Sequence, residues 1–137
     1  MTHPTDAAIK QAVNHLHAIG VFHPADYYSE SRDSVRIAYQ WLDAQRTRKT
    51  PAQWAYLPLK HVIECWGGRY VSTHDVITAA FLHPRIKGLY PELNLSRRLV
   101  CPDAQRLEGI AEAGLHAETY TRFKAEPYAL AEQGVAA

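Results

Sequence analysis

Short stripes of apolar residues at helical spacing, each followed by Gly or Pro, constrain the fold of this chain most. Thr5 is a good N-cap for the first stripe, and Gly20 is a natural stop after its last turn. The apolar positions of this stripe are Ile9, Ala12, Val13, Leu16 and Ile19. Because only one face of the predicted helix is apolar, the helix needs a partner to cover that face. The pattern therefore predicts a domain of helices that pack on one another.

The same pattern returns along the chain and predicts five or six helices in all. Ser72 caps one of them, and Asp75, three residues later, completes a shortened capping box. That helix ends at His83-Pro84, since proline disfavours a helical conformation in the residue before it. The other predicted helices cover residues 35–42, about 58–66, a stretch from Asp103, and residues 115–124.

The part of the chain that follows the Ser72 helix has a weaker pattern. Residues 93–99 are predicted as a short strand or an extended arm on the core. A small β-ribbon near residues 69–71 and 93–95 would make the fold a winged-helix variant. We therefore expect an all-α single domain over residues 1–137, with a frayed tail from about residue 129.

The composition indicates a folded chain rather than a disordered one. Its 137 residues fit one domain, and the 47% apolar and 21% charged residues are enough for a core. The formal net charge of +1 argues mildly against broad phosphate binding, because nucleic-acid-binding domains are usually more basic. A local basic patch is still compatible with this value, since net charge does not report how charge is distributed.

The cysteine count and the N-terminal residues predict a compartment. Two cysteines, Cys65 and Cys101, exclude a disulfide-rich secreted domain. Residues 1–6 show no basic stretch followed by an apolar run, so we expect no signal peptide. No uninterrupted apolar segment approaches the length of a membrane span. We therefore expect a cytoplasmic protein with reduced thiols and no membrane partner.

The stretch over residues 59–82 resembles the helix-turn-helix hairpin of many DNA-binding proteins. One predicted helix stops at Gly67-Gly68, and a short connection leads to Ser72 at the cap of the next helix. The second helix of such a hairpin buries an apolar residue and then small residues one turn later, which here are Val76, Ala79 and Ala80. An ordinary pair of well-capped helices is the alternative interpretation.

The resemblance implies two sets of DNA contacts. Thr73, His74 and Thr78 would face a major groove. Phosphate contacts are predicted for the cations around and after the hairpin, which are Arg69, Arg85, Lys87, Arg97 and Arg98. The predicted groove-facing side carries no Arg, Lys, Asn or Gln, which usually read base edges. A second basic cluster consists of Arg46, Arg48 and Lys49, and it could bind phosphate beside Trp54 and Tyr56, which could stack on bases. A solvated helix end is the favoured interpretation of this cluster.

Metal binding and catalysis have little support in the sequence. His61 and Cys65 are the candidate metal ligands, because residues four apart share a helix face. No paired Cys-x-x-Cys or His-x-x-x-His accompanies them, so we predict neither a metal nor a cofactor. The chain also lacks a nucleophile elbow, a phosphate loop and a dinucleotide fingerprint. We therefore expect a non-enzymatic protein.

These observations favour a small DNA-binding or regulatory protein whose partner is duplex DNA. The alternative is a protein-interaction module, an adaptor or an inhibitor of a larger machine, that acts alone or as a homodimer. Its contacts would come from aromatic residues in excess of what a small core needs. These are Tyr27, Tyr28, Trp54, Tyr56, Tyr70, Tyr90, Tyr120 and Tyr128.

Overall fold

Four α-helices make up most of the regular structure in the computed structural model, which describes residues 2–23, 31–51 and 58–132. They are α1 (Asp6–Ala18), α2 (Arg32–Asp43), α3 (Leu59–Gly67) and α4 (Thr73–Leu82). Helix α2 is central, because both α3 and α4 pack against it, while α1 packs mainly on α4. Its inward side chains are fully buried and include Val35, Ile37, Ala38, Trp41 and Leu42. Within the described residues, no helix combines the length and the hydropathy needed to cross a bilayer.

The helix ends follow the caps that the sequence predicts. The Thr5 hydroxyl accepts a hydrogen bond from the Ala8 amide at 3.1 Å. Ser72 Oγ accepts from the Asp75 amide at 3.1 Å, and Asp75 Oδ2 accepts from the Ser72 amide at 2.8 Å. The predicted capping box is therefore confirmed, and α4 ends at Leu82, immediately before His83-Pro84.

Two successive glycines allow α3 to fit against its neighbours. A Cβ atom on Gly67 would lie 2.3 Å from Ile37 Cγ2, so only glycine permits this approach of α3 to α2. Gly68 has a φ of +68° and ends the helix in the left-handed conformation. The carbonyl oxygens of Gly67 and Gly68 accept bonds at 2.7 Å from the amides of Gly114 and His116. The turns after residue 108 are thereby fixed onto the end of α3.

The strands are short and lie after α4. Strand β1 (Gly88–Leu89) pairs antiparallel with β2 (Glu92–Leu93), and β3 (Val100–Cys101) pairs parallel with β4 (Leu130–Ala131). The predicted ribbon between residues 69–71 and 93–95 is wrong. The Val71 amide donates to a side-chain oxygen of Glu64 at 3.4 Å instead of pairing with a strand. Leu93 pairs with Gly88, its neighbour across a tight turn.

The predicted all-α class is correct in its broad outline, but five or six helices are too many. The helix expected from Asp103 is a four-residue 3-10 helix (Ala104–Leu107), and residues 115–124 form turns. Gly109 and Gly114 both adopt positive φ values, which no α-helix accommodates. The tail predicted to fray from about residue 129 pairs in β4, and residues 133–137 lie outside the described residues.

Candidate functional site

A buried asparagine joins three segments of the chain that are distant in sequence. Asn94 is 3% exposed, and its Oδ1 accepts a hydrogen bond from the Lys87 amide at 2.7 Å. Its Nδ2 donates to the carbonyl oxygen of Arg48 at 3.2 Å and to that of Arg85 at 3.1 Å. One amide side chain thus satisfies three backbone groups, because it combines an acceptor oxygen with two donor hydrogens.

Backbone hydrogen bonds extend the same junction. The Arg48 amide donates to the carbonyl oxygen of Asn94, and the Ser96 amide donates to that of Arg46, both at 2.8 Å. Thr47 and Leu95 form an antiparallel bridge between these two bonds. The Asn94 amide also donates to the Lys87 carbonyl oxygen at 3.1 Å. Residues 46–49, 85–87 and 94–98 therefore lie side by side.

These three segments carry a concentration of exposed positive charge. We call it the basic surface, and it consists of Arg46, Arg48, Lys49, Arg85, Lys87, Arg97 and Arg98. The seven residues are about half of the chain's 15 Lys and Arg residues, so the net charge of +1 conceals a strong segregation. Five of them make no ion pair with a carboxylate among the described residues, namely Arg46, Arg48, Lys49, Lys87 and Arg98.

One edge of the basic surface is anchored by Asp43. Its Oδ1 accepts a hydrogen bond from His83 Nε2 at 2.7 Å, and its Oδ2 accepts one from Arg106 at 2.7 Å. Burial alone would raise the pKa of Asp43, but the hydrogen bonds from His83 and Arg106 outweigh it and lower that pKa. The carboxylate therefore stays ionised and also pairs with Arg85 at 3.3 Å. Arg85 is thus held in place by its side chain as well as by its backbone.

The predicted phosphate contacts are brought together except for one. The basic surface contains four of them, Arg85, Lys87, Arg97 and Arg98. The sequence analysis treated these four and the cluster at residues 46–49 as two separate groups. Arg69 is not part of the basic surface. Its side chain is largely buried and pairs with Glu112 at 3.3 Å. The helix-end interpretation of residues 46–49 did not include their position beside residues 94–96, since this pairing leaves no local trace in the sequence.

The predicted groove contacts on α4 do not share one exposed face. Thr73 is exposed, whereas His74 is half-buried and its ring packs edge-on against Phe22, with centroids 4.5 Å apart. Thr78 is fully buried, and its hydroxyl donates to the His74 carbonyl oxygen at 2.8 Å. The prediction that Thr78 is exposed is therefore wrong, because α4 turns that side towards the packed helices.

The two helices of the predicted hairpin also pack differently from the expected arrangement. Helices α3 and α4 both contact α2 and make little contact with each other. The connection between them, residues 68–72, is longer than the turn of about three to four residues in a helix-turn-helix. The resemblance of residues 59–82 to that motif thus extends to the caps but not to the packing. The basic surface is the better candidate for contact with a polyanion.

The candidate metal ligands have other partners. His61 Nδ1 lies 2.9 Å from Glu64 Oε2, and Cys65 Sγ accepts a hydrogen bond from the Phe123 amide at 3.4 Å. Glu64 is buried and also pairs with Lys60 at 2.5 Å. Over residues 2–23, 31–51 and 58–132, no three His, Cys, Asp or Glu side chains form a group that could hold a metal ion.

Half of the aromatic residues that the protein-interaction module would use belong to the described part of the chain. Tyr27, Tyr28, Trp54 and Tyr56 lie outside the described residues. Of the other four, Tyr70 is exposed, and Tyr90, Tyr120 and Tyr128 are partly buried. An apolar groove is instead lined by exposed side chains that include Ile19, Phe81 and Leu89. The sequence analysis placed Ile19 in the apolar stripe of the first helix and so missed its place in this groove; the interaction module stays a prediction.

Comparison with protein-family models, with curated proteins and with solved structures gave no match for this chain.

Proposed function

We propose that this protein binds duplex DNA through the phosphate backbone, using the basic surface, and acts as a small DNA-binding or regulatory protein. The observation that carries the proposal is the junction around Asn94, which holds three basic segments side by side. A typical protein surface intersperses both signs of charge. Here five cations have no carboxylate partner among the described residues, so their charge is available to an anion.

The chemistry of the basic surface favours phosphates over bases as contacts. Arg and Lys side chains contact phosphate oxygens regardless of sequence, and such contacts position a protein without specifying a site. The exposed part of α4 offers Thr73 and no Arg, Lys, Asn or Gln for reading base edges. We therefore expect binding with little sequence preference and with a steep dependence on salt.

A salt titration of DNA binding tests the proposal. Fluorescence anisotropy of a labelled random duplex of about 20 base pairs gives the binding constant at several NaCl concentrations. The slope of log K against log salt concentration should be negative, and each phosphate that the protein contacts should contribute roughly −0.9 to it. In Arg48→Ala/Arg98→Ala the slope should flatten by about 2, because two phosphate contacts are lost.

A matched control removes two charges from elsewhere. Lys10 and Lys124 are exposed and lie outside the basic surface, so Lys10→Ala/Lys124→Ala should retain the affinity and slope of the parent protein. Circular dichroism would verify that both variants are folded. Absence of binding at about 50 mM salt would overturn the proposal. Equal losses in the two double variants would also overturn it, since the contacts would then not belong to the basic surface.

A further inference from the structure

A second site is suggested by a cavity of about 560 Å³ that shares no residue with the basic surface. It lies between α3, the β3–β4 pair and the loop that leads into β4. Its walls include Cys65, Trp66, Cys101, Phe123 and Tyr128. No carboxylate of the described residues lines it, and the volume lies within the range of about 300–1,000 Å³ that is typical of small-molecule sites.

The polar groups of Trp66, Cys101 and Tyr128 in these walls are hydrogen-bonded or uncharged. Trp66 Nε1 donates to the Pro102 carbonyl oxygen at 3.1 Å, and the Tyr128 hydroxyl accepts from Trp41 Nε1 at 2.9 Å. Burial raises the pKa of the Cys101 thiol and that of the Tyr128 phenol, so both groups stay neutral near pH 7. The interior is therefore an uncharged, largely apolar environment.

Among the described residues, one charged side chain lines the cavity, and it is a cation. Lys124 is exposed and makes no ion pair with a carboxylate among the described residues. An apolar body with an acidic group at one end would match both features, because the body would displace water from the walls and the acid would pair with Lys124. A cationic ligand would be repelled by Lys124, and a neutral ligand would form no ion pair with it.

We propose that this cavity binds a hydrophobic carboxylate, a small molecule whose apolar body fills the space beside Cys65 and Cys101 and whose carboxylate pairs with Lys124. Straight-chain carboxylates serve as probes. Their affinity should rise with chain length, by about fourfold for each further methylene that is buried. Dodecanol should bind more weakly than dodecanoate, by up to about fivefold, because an exposed ion pair contributes modestly.

Alkylation of the two thiols tests where the probe binds. Cys65 and Cys101 are the only cysteines of the chain and both line the cavity, so their modification by iodoacetamide reports on its occupancy. Mass spectrometry should show that dodecanoate, below its micelle concentration, slows the reaction of both thiols. Ala129→Trp, which places an indole in the cavity wall, should abolish this protection, whereas Ala111→Trp at an exposed position should keep it.

A charge reversal at Lys124 distinguishes the contribution of the ligand's carboxylate to binding from that of its apolar chain. Lys124→Glu should weaken protection by dodecanoate and leave protection by dodecanol unchanged, while Lys10→Glu should alter neither. Absence of protection, or equal protection in the Ala129→Trp variant, would overturn the cavity as the site. An unchanged preference for dodecanoate in Lys124→Glu would overturn the assignment of a carboxylate ligand.

Discussion

At the scale of single residues, Asn94 is the side chain that bonds to all three segments around the basic surface. In Asn94→Ala the carbonyl oxygens of Arg48 and Arg85 and the amide of Lys87 each lose a side-chain partner. Because these groups are close to a buried side chain, water replaces the lost bonds incompletely. We expect the free energy of unfolding to fall by about 2–4 kcal/mol, since each unsatisfied buried group costs about 1–3 kcal/mol. Urea denaturation measures this change.

Asn14 offers the control for that substitution. It lies exposed on α1, so Asn14→Ala should change the free energy of unfolding by no more than about 0.5 kcal/mol. The folded fraction of Asn94→Ala should also bind DNA more weakly, because the three basic segments would then be joined by their backbone hydrogen bonds alone. An Asn94→Ala protein as stable as the Asn14→Ala protein would contradict the role assigned to this side chain.

At the scale of elements, a helix can be predicted from the local sequence when the residues that form its ends are close together in the chain. The Ser72–Asp75 capping box works within four residues, so it can be recognised without knowledge of the fold. The turns at residues 115–124 depend instead on bonds from Gly114 and His116 to the end of α3. Such long-range partners leave no periodic pattern, and the apolar residues of this stretch were therefore misinterpreted as a helix.

Strand β4 is held to the core by an ion pair that makes stability depend on pH. Arg106 is 7% exposed and donates to Glu132 at 2.5 and 2.7 Å. The hydrogen bond from Arg106 lowers the pKa of Glu132 in the folded protein. A lowered carboxyl pKa stabilises the fold above the ordinary glutamate pKa of about 4.5 and ceases to do so as pH falls through the folded value.

Glu132→Gln should therefore reduce the free energy of unfolding by about 1.5–3 kcal/mol at pH 7, the range for hydrogen bonds to charged groups. The difference from the parent protein should shrink as the pH falls below the ordinary glutamate pKa of about 4.5, because the unfolded parent chain then takes up a proton that the folded carboxylate resists. Denaturation curves at several pH values measure this difference. Glu118 is exposed, so Glu118→Gln should show no such trend. A difference that stays constant down to pH 3 would contradict the ionised pair.

At the scale of the whole molecule, the sequence predicted part of the candidate site. The sequence predicts phosphate contacts for Arg85, Lys87, Arg97 and Arg98 because they follow the predicted hairpin closely. Their union with residues 46–49 could not be predicted, since it depends on Asn94, a buried side chain with no local signature. The exposure of Thr78 was mispredicted because the helical period alone does not determine which side of α4 faces α2.

The concentration of like charge in the basic surface should be visible in the stability of the whole protein. Seven exposed cations on adjacent segments repel one another, and this repulsion opposes folding at low ionic strength. Raising NaCl from about 0.01 to 0.15 M shortens the Debye length from about 30 to about 8 Å and should screen the repulsion. The pair of Arg106 with Glu132 is more buried and should be screened less.

Tm followed by circular dichroism should therefore rise by about 2–4 °C over this range, which corresponds to roughly 0.5–1 kcal/mol. Arg48→Ala/Arg98→Ala should show a smaller rise, because two of the repelling charges are gone, whereas Lys10→Ala/Lys124→Ala should rise as the parent protein does. A Tm that does not change with salt, or that falls, would mean that the seven charges do not act on one another. The basic surface would then be a set of separate cations, too weakly coupled to attract a polyanion as one field.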